Sequence, residues 1–425
     1  MLAPVLFLVA LLAQVQATYL YVSSYDGNVT TLELTPNIGR AQSSQSVFFG
    51  EHGGRGQHWR QEWTYNLTLV SSVDSLAQSP SWLTLNKQNN ILYMIDEANE
   101  SGNGTIISYR TTNTGQLEEI QRVEALEGGV GATFFGSGAA LAVPHYTGSS
   151  LQTYSVDSTG NMELLQTFRF SMAGPGPVPN RQEAPHPHGA NLDPTGQYIV
   201  VPDLGADLVR VFAIDETTNI LTEVTPLYAE PGSGPRHAVF SLDPISGEYV
   251  FYLAGEIAAT ITAYRVHYEP NQGGITFTMI PGAVYNSLGP GHPVPPTTTG
   301  QSTGVTAEIA FSPDGEFLLV SNRRDLSFNP STRPISYPIP SDSISTWTFA
   351  KGRSDGALDF LELFPAGGSY PRMFSLNRAG NLVAVGLQQS GRVVVMERDT
   401  ETGRWRRQVA EIEVEGQITC VVWDE

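Results

Sequence analysis

The stretch Asp193-Pro-Thr-Gly-Gln-Tyr198-Ile-Val-Val-Pro202-Asp-Leu-Gly-Ala-Asp207-Leu-Val-Arg-Val-Phe212 holds a complete folding unit in twenty residues. Asp193-Pro-Thr-Gly196 reads as a tight turn, with proline fixing one φ and glycine accepting a positive one. Tyr198-Ile-Val-Val201 then reads as a buried strand, and Asp207–Phe212 as a second strand with alternating side chains. The same unit recurs along the chain. Its β-rich cores are Tyr19-Leu-Tyr-Val22, Ile91-Leu-Tyr-Met94, Leu141-Ala-Val143, Tyr198–Val201, Tyr249-Val-Phe-Tyr252, Phe317-Leu-Leu-Val320 and Leu382-Val-Ala-Val385. Matching turns precede several of them: Asp243-Pro-Ile-Ser-Gly247, Ser312-Pro-Asp-Gly315 and Asn377-Arg-Ala-Gly380. The unit is therefore strand, turn, strand, loop, strand, repeating every ~50–70 residues, a propeller-blade period with insertions.

Seven cores predict an all-β, seven-bladed β-propeller. The last run, Ile418-Thr-Cys-Val-Val-Trp423, has no blade after it. It is expected to pair with the first blade, so that the N- and C-terminal strands close the ring and leave no open edge. Cys420, the one cysteine, is expected to be a small buried residue in that strand. The 425 residues carry 23 basic and 42 acidic side chains, a formal charge of −19. That balance argues against nucleic acid or an anionic membrane surface as partner.

Residues 1–17, MLAPVLFLVALLAQVQA, are apolar and end in a small-residue cleavage pattern, so they are expected to be a signal peptide, with 18–425 as one propeller domain. The leader is too short to span a bilayer comfortably. Four Asn-x-Ser/Thr sequons follow, at Asn28, Asn66, Asn99 and Asn103, and with the leader they predict a glycoprotein of the secretory-pathway lumen or outside.

Several motifs, in order, carry a resemblance. Arg181-Gln-Glu-Ala-Pro-His186-Pro-His188, Pro202-Asp-Leu-Gly-Ala-Asp207, Gly234-Pro-Arg236-His237, Ala307-Glu308-Ile-Ala-Phe-Ser-Pro-Asp-Gly315 and Ser321-Asn-Arg323 resemble the seven-bladed lactonase family. His145-Tyr-Thr-Gly-Ser-Ser150 is similar to its Asn-Tyr-x-Gly-Gly-Ser turn, with His145 in place of Asn. That family includes bacterial 6-phosphogluconolactonases and fungal 3-carboxy-cis,cis-muconate cyclases, and the resemblance spans about residues 80–420. From the cyclases it implies a catalytic set of His188, Arg236, Glu256 and Arg323 at the propeller mouth. Glu256 follows Gly255 where the family reads Asn-Glu.

The set is chemically coherent. Two guanidiniums can fork a carboxylate or stabilise enolate-like charge without losing their protons. A histidine moves a proton, and a glutamate orients it or holds an arginine. Arg181, His186, His237 and Glu308 are expected beside them as substrate-binding or supporting groups. Two plainer readings stay open: Arg236 and His237 as bridges between blades, and Asp203 and Asp207 as turn caps. No spacing of His186, His188 and His237 resembles a zinc pair, so neither metal nor cofactor is expected.

Three insertions set the chain apart: Ala41–Ser81 with His52, His58, Trp59, Trp63 and Tyr65; residues 270–300 with Gly289-Pro-Gly-His-Pro-Val-Pro-Pro296; and residues 324–342, directly after Arg323. The third is expected to overhang the mouth, and aromatic, proline-rich walls predict an apolar small-molecule substrate. Only Lys87 and Lys351 are lysines, so no cationic phosphate cradle is expected beyond the arginines. Leader, sequons and propeller together look similar to fungal hetero-Diels–Alderases of tropolone-sesquiterpene pathways. The expected function is thus a ring-forming enzyme, a cyclase of secondary metabolism acting by cycloaddition. The alternatives are a carboxymuconate-type cycloisomerase, a lactone hydrolase, or a non-enzymatic secreted binding scaffold.

Overall fold

The computed structural model describes residues 18–37, 64–98, 102–269, 274–293, 305–329 and 340–425. The leader, Asn99, His52, His58, Trp59 and Trp63 lie outside the described residues. Among the described residues there are seven four-stranded antiparallel sheets, each one blade, and one short 3-10 turn at Gly136–Gly138. No described helix is long and apolar enough to cross a membrane.

Every core singled out in the sequence is the second strand of its blade, as in blade 4, where Asn191–Leu192, Tyr198–Asp203, Leu208–Ile214 and Leu221–Tyr228 pair in that order. These second strands are buried along both faces because neighbouring blades sandwich them. The outer strands alternate, as in Leu117–Ala125. The apolar core is accordingly divided into layers between blades. Tyr252 and Val250 meet Leu318 and Trp347 between blades 5 and 6, and Phe135 meets Ile199 and Phe212 between blades 3 and 4.

Each turn motif works as its residues dictate. In blade 4 Asp193 Oδ1 accepts the N–H groups of Gln197 and Tyr198, Oδ2 accepts that of Thr195, and Gly196 takes φ 75°. The ring closes as expected: Ile418–Trp423 is the innermost strand of blade 1 and pairs antiparallel with Thr18–Ser24. Cys420 in it is fully buried, and burial pushes its thiol up to about 12.

Two expectations need correction. A blade has four strands where the sequence suggested three: the innermost strand, six to eight residues long in five blades, shrinks to Asn191–Leu192 in blade 4 and Thr133–Phe135 in blade 3. The supposed first and second insertions also contain blade strands. Tyr65–Asp74 is the outer strand of blade 1, and Gly274–Asn286 that of blade 5.

Candidate functional site

The interruption of the inner strand is the device that builds the site. In all seven blades the inner strand carries one extra residue relative to the second strand. Pairing runs Pro235↔Gly255 then His237↔Ala254, Pro371↔Leu387 then Met373↔Gly386, and Pro80↔Asp96 then Trp82↔Ile95. The same slip occurs between Ser24↔Ile418 and Ser23↔Cys420, and between Thr306↔Asn322 and Ile309↔Val320. In blades 3 and 4 it falls after the bridges Gly129↔His145 and Pro187↔Asp203. Such bulges re-aim the extra side chain. The equivalent positions are Thr419, Ser81, Val130, His188, Arg236, Ala307 and Arg372.

A second ring lies at the first residue after each second strand: Tyr25, Glu97, Tyr146, Leu204, Glu256, Arg323 and Gln388. Each donates its backbone N–H to a carbonyl two residues ahead of the bulge residue, from Tyr25 N–H to Gln417 O through Glu256 N–H to Gly234 O to Gln388 N–H to Tyr370 O. The two rings face one another at one end of the propeller.

Within them the structure gathers the residues the sequence singled out. Glu256, 2% exposed, receives three guanidiniums: Arg181 at 2.5 Å, Arg236 at 2.6 Å and Arg323 at 3.0 Å. Burial alone would raise the Glu256 carboxyl. Arg323, Arg181 and Arg236 outweigh it and hold the group well below the usual carboxylate range. Arg236 is itself lowered to about 10 by burial and by Arg323, and stays protonated at neutral pH.

Beside this cluster runs a line of hydrogen bonds. Glu308 meets His237 Nδ1 at 3.1 Å, and His237 Nε2 lies 3.0 Å from His188 Nδ1. Trp82 packs edge-on against His237, and Tyr146 edge-on against His188. Burial, then Arg236 and His237, hold His188 well below its usual range, so its imidazole is neutral. A carboxylate can only accept, so His237 carries its proton on Nδ1. His237 Nε2 then accepts from His188 Nδ1–H, which leaves His188 Nε2 as a bare lone pair.

His186 stands apart from this line. It stacks on Tyr146 at 4.2 Å, and its ring nitrogens meet Tyr146 O and Glu183. Asp203 caps the turn by accepting from the N–H groups of His186 and Ala206, and Asp207 accepts from those of Gly232 and Gly234. The ends of the third insertion do lie beside Arg323: Arg324 stacks over Tyr370, and Asp342 accepts the Tyr370 N–H. Residues 330–339 lie outside the described residues.

Two functional candidates escaped the sequence reading. Arg372, its side chain 11% exposed, occupies the bulge position of blade 7 and reaches Tyr25 and Glu97 of blades 1 and 2. The available signal was Pro371-Arg372, which repeats Pro235-Arg236 and Pro187-His188. Tyr370 precedes it and meets Arg323. A cavity of about 460 Å³ beside Lys87, Arg378 and Trp423 lies on the opposite face, at the first ends of the second strands. No group of three His, Cys, Asp or Glu among the described residues is placed to hold a metal.

Residues 58–423 match the family described as "Lactonase, 7-bladed beta-propeller". The chain belongs to that family of seven-bladed propellers. It is 30% identical over 356 residues to the "Probable 6-phosphogluconolactonase" of Arthroderma benhamiae, covering 83% of this chain and 82% of that one. It is 30% identical over 355 residues to the 6-phosphogluconolactonase of Formosa agariphila, covering 82% and 89%. The solved periplasmic gluconolactonase of Pseudomonas aeruginosa superposes with a TM-score of 0.70 at 22% identity, covering 96% of this chain and 99% of that one.

Proposed function

We propose that the protein is an enzyme that opens the lactone ring of a small anionic organic acid. The observation that carries this reading is the Glu308–His237–His188 line, which ends at His188 beside buried guanidiniums. In this mechanism His188 Nε2 takes a proton from water as its oxygen attacks the lactone carbonyl carbon. Arg236 and Arg323 stabilise the oxyanion and hold the substrate's acid group. Glu256 fixes both guanidiniums in place.

Family membership supports lactone chemistry, and the described wall favours it over cycloaddition. Arg181, Arg236, Arg323, Arg372, Glu256, Glu97 and Glu308 make that wall charged, whereas two apolar reactants would need an apolar enclosure. The apolar-substrate expectation rested mainly on insertions lying partly outside the described residues.

The test is hydrolysis of glucono-1,5-lactone and its 6-phosphate by the wild type and by His188→Ala, corrected for spontaneous opening. A ~10²-fold or larger loss of kcat is expected. Equal rates would sink the assignment. We also propose export, from the leader and sequons. N-terminal sequencing of protein recovered from medium should begin near Thr18, and retention of Met1 would refute it.

A further inference from the structure

Blade 7 breaks a backbone rule at the mouth. The residue ahead of the bulge pair is Gln417, Ser79, Gly128, His186, Gly234, Val305 and Tyr370 in the seven blades. Three of these adopt the left-handed region: Gly128 at φ 81°, Gly234 at φ 63° and Tyr370 at φ 67°. Two are glycines, for which this conformation costs nothing steric. The third is a bulky aromatic residue followed by Pro371, which narrows its permitted backbone further. A left-handed tyrosine is strained and persists only where its surroundings enforce it.

The surroundings do so. The Tyr370 N–H is accepted by Asp342 Oδ2 at 2.7 Å, and its carbonyl accepts the Gln388 N–H. Two guanidiniums stand over its ring, Arg323 at 4.9 Å and Arg324 at 5.2 Å from the centroid. Its hydroxyl lies 3.4 Å from Arg323 Nη1, the guanidinium that also binds Glu256 through Nη2. The phenol is therefore held at the same guanidinium that would grip the substrate.

We propose that Tyr370 is the catalytic acid of lactone opening. This inference rests on the lactone-opening reading. As the tetrahedral intermediate collapses, the ring C–O bond breaks and its electron pair goes to the ring oxygen. That oxygen takes the proton from Tyr370 Oη. The tyrosinate is held by Arg323 and Arg324 until it is reprotonated by water, while His188 returns to solvent the proton it took from the nucleophile. Water is consumed, one acid is formed, and no other reactant is needed.

The titration of the mouth agrees with this role. Arg323, against the opposing effect of burial, lowers the Tyr370 phenol from its ordinary value, with Arg324 and Arg372 acting in the same direction and Glu256 against. Burial instead raises the phenol of Tyr146, the other mouth tyrosine near Glu256. Groups pushed in opposite directions are how one site divides acid and base duties.

The experiment compares the wild type, Tyr370→Phe and His188→Ala on glucono-1,5-lactone and its 6-phosphate across pH, with thermal melting as a fold check. A proton donor must be protonated, so wild-type kcat should fall on the alkaline side below the ordinary tyrosine range near ~10. In Tyr370→Phe kcat should drop ~10²-fold with KM little changed, and that alkaline limb should vanish. Wild-type turnover with unchanged kcat and alkaline limb in Tyr370→Phe would overturn the proposal and leave the lactone reading standing. No wild-type turnover of either lactone above background would overturn both.

Discussion

Replacing Glu256 by glutamine tests the electrostatic centre of the site. Gln keeps the volume and removes the only carboxylate shared by Arg181, Arg236 and Arg323. Arg236 and Arg323 are each 4% exposed, so their charges would be left buried against a neutral amide. Removing one partner of such a buried pair costs about 3–5 kcal/mol. The Arg181 contact is the most solvent-screened of the three, its side chain being 24% exposed, and is left out of this figure. At ~2.1 cal/mol/K per residue, a chain of 425 residues has an unfolding entropy near ~0.9 kcal/mol/K. The melting temperature should therefore fall by ~3–6 °C at pH 7, read by circular dichroism. The pH dependence has a definite sign. The folded-state carboxyl is held below its unfolded value near ~4.3, so its contribution is present above that pH and is lost on further acidification. The gap between wild type and Glu256→Gln should thus be full at pH 7 and close below pH ~4. A variant melting within ~1 °C of the wild type at pH 7 would show that the three guanidiniums do not depend on Glu256.

Three further outcomes are expected. Glu308→Gln keeps the side-chain volume but no longer fixes the His237 proton on Nδ1, so kcat should fall about 10²-fold with KM held; a change confined to KM would contradict the relay. Truncation before Ile418 removes the inner strand of blade 1 and exposes the edge of Thr18–Ser24; size-exclusion chromatography should show loss of the wild-type elution peak to aggregate, and an unchanged peak would refute closure as a stability device. Burial, then Asp342, raise Asp325, so its contribution to stability is lost as pH rises from its unfolded value near ~3.9 through the folded one. The melting temperature of Asp325→Asn relative to wild type should consequently climb between pH 4 and pH 8, the slope being the readout, and a flat difference would refute it.

The fold was legible because its decisive strands are the most apolar ones. A second strand such as Ile91–Asp96 or Leu382–Leu387 is sandwiched between blades, so it reads as a continuous hydrophobic run after a turn with its own chemistry. The inner strands of blades 3 and 4 were not legible, since two or three residues beside a bulge carry no period. The same bulge hid half of the site. His188, Arg236 and Arg323 were reached through longer motifs, whereas Arg372 and Tyr370 lie in Ser369-Tyr-Pro-Arg372, where the Pro-Arg pair alone repeats Pro235-Arg236. The Glu308–His237–His188 line joins positions 71 and 49 residues apart, and no local pattern announces contacts of that range.

Seven equivalent bulges make a symmetric ring, so function has to come from how unequally the ring is filled. Blades 1, 2 and 3 place Thr419, Ser81 and Val130 at the bulge, residues with little to offer acid–base or anion chemistry. Blades 4, 5 and 7 place His188, Arg236 and Arg372 there, and blade 6 supplies Arg323 from the facing ring. The base and the cations are thus drawn to one side of the axis, with Glu256 between Arg236 and Arg323 as their common counter-charge. On the other side Tyr25 and Glu97 hold Arg372 inward. An off-axis pole of this kind can orient an asymmetric ligand, one end at the guanidiniums and the reacting carbonyl at His188, which an evenly filled ring could not do. The left-handed Tyr370 fits the same logic: among the three left-handed positions of this ring it is the one that adjoins Arg323, and the one that carries a side chain at all.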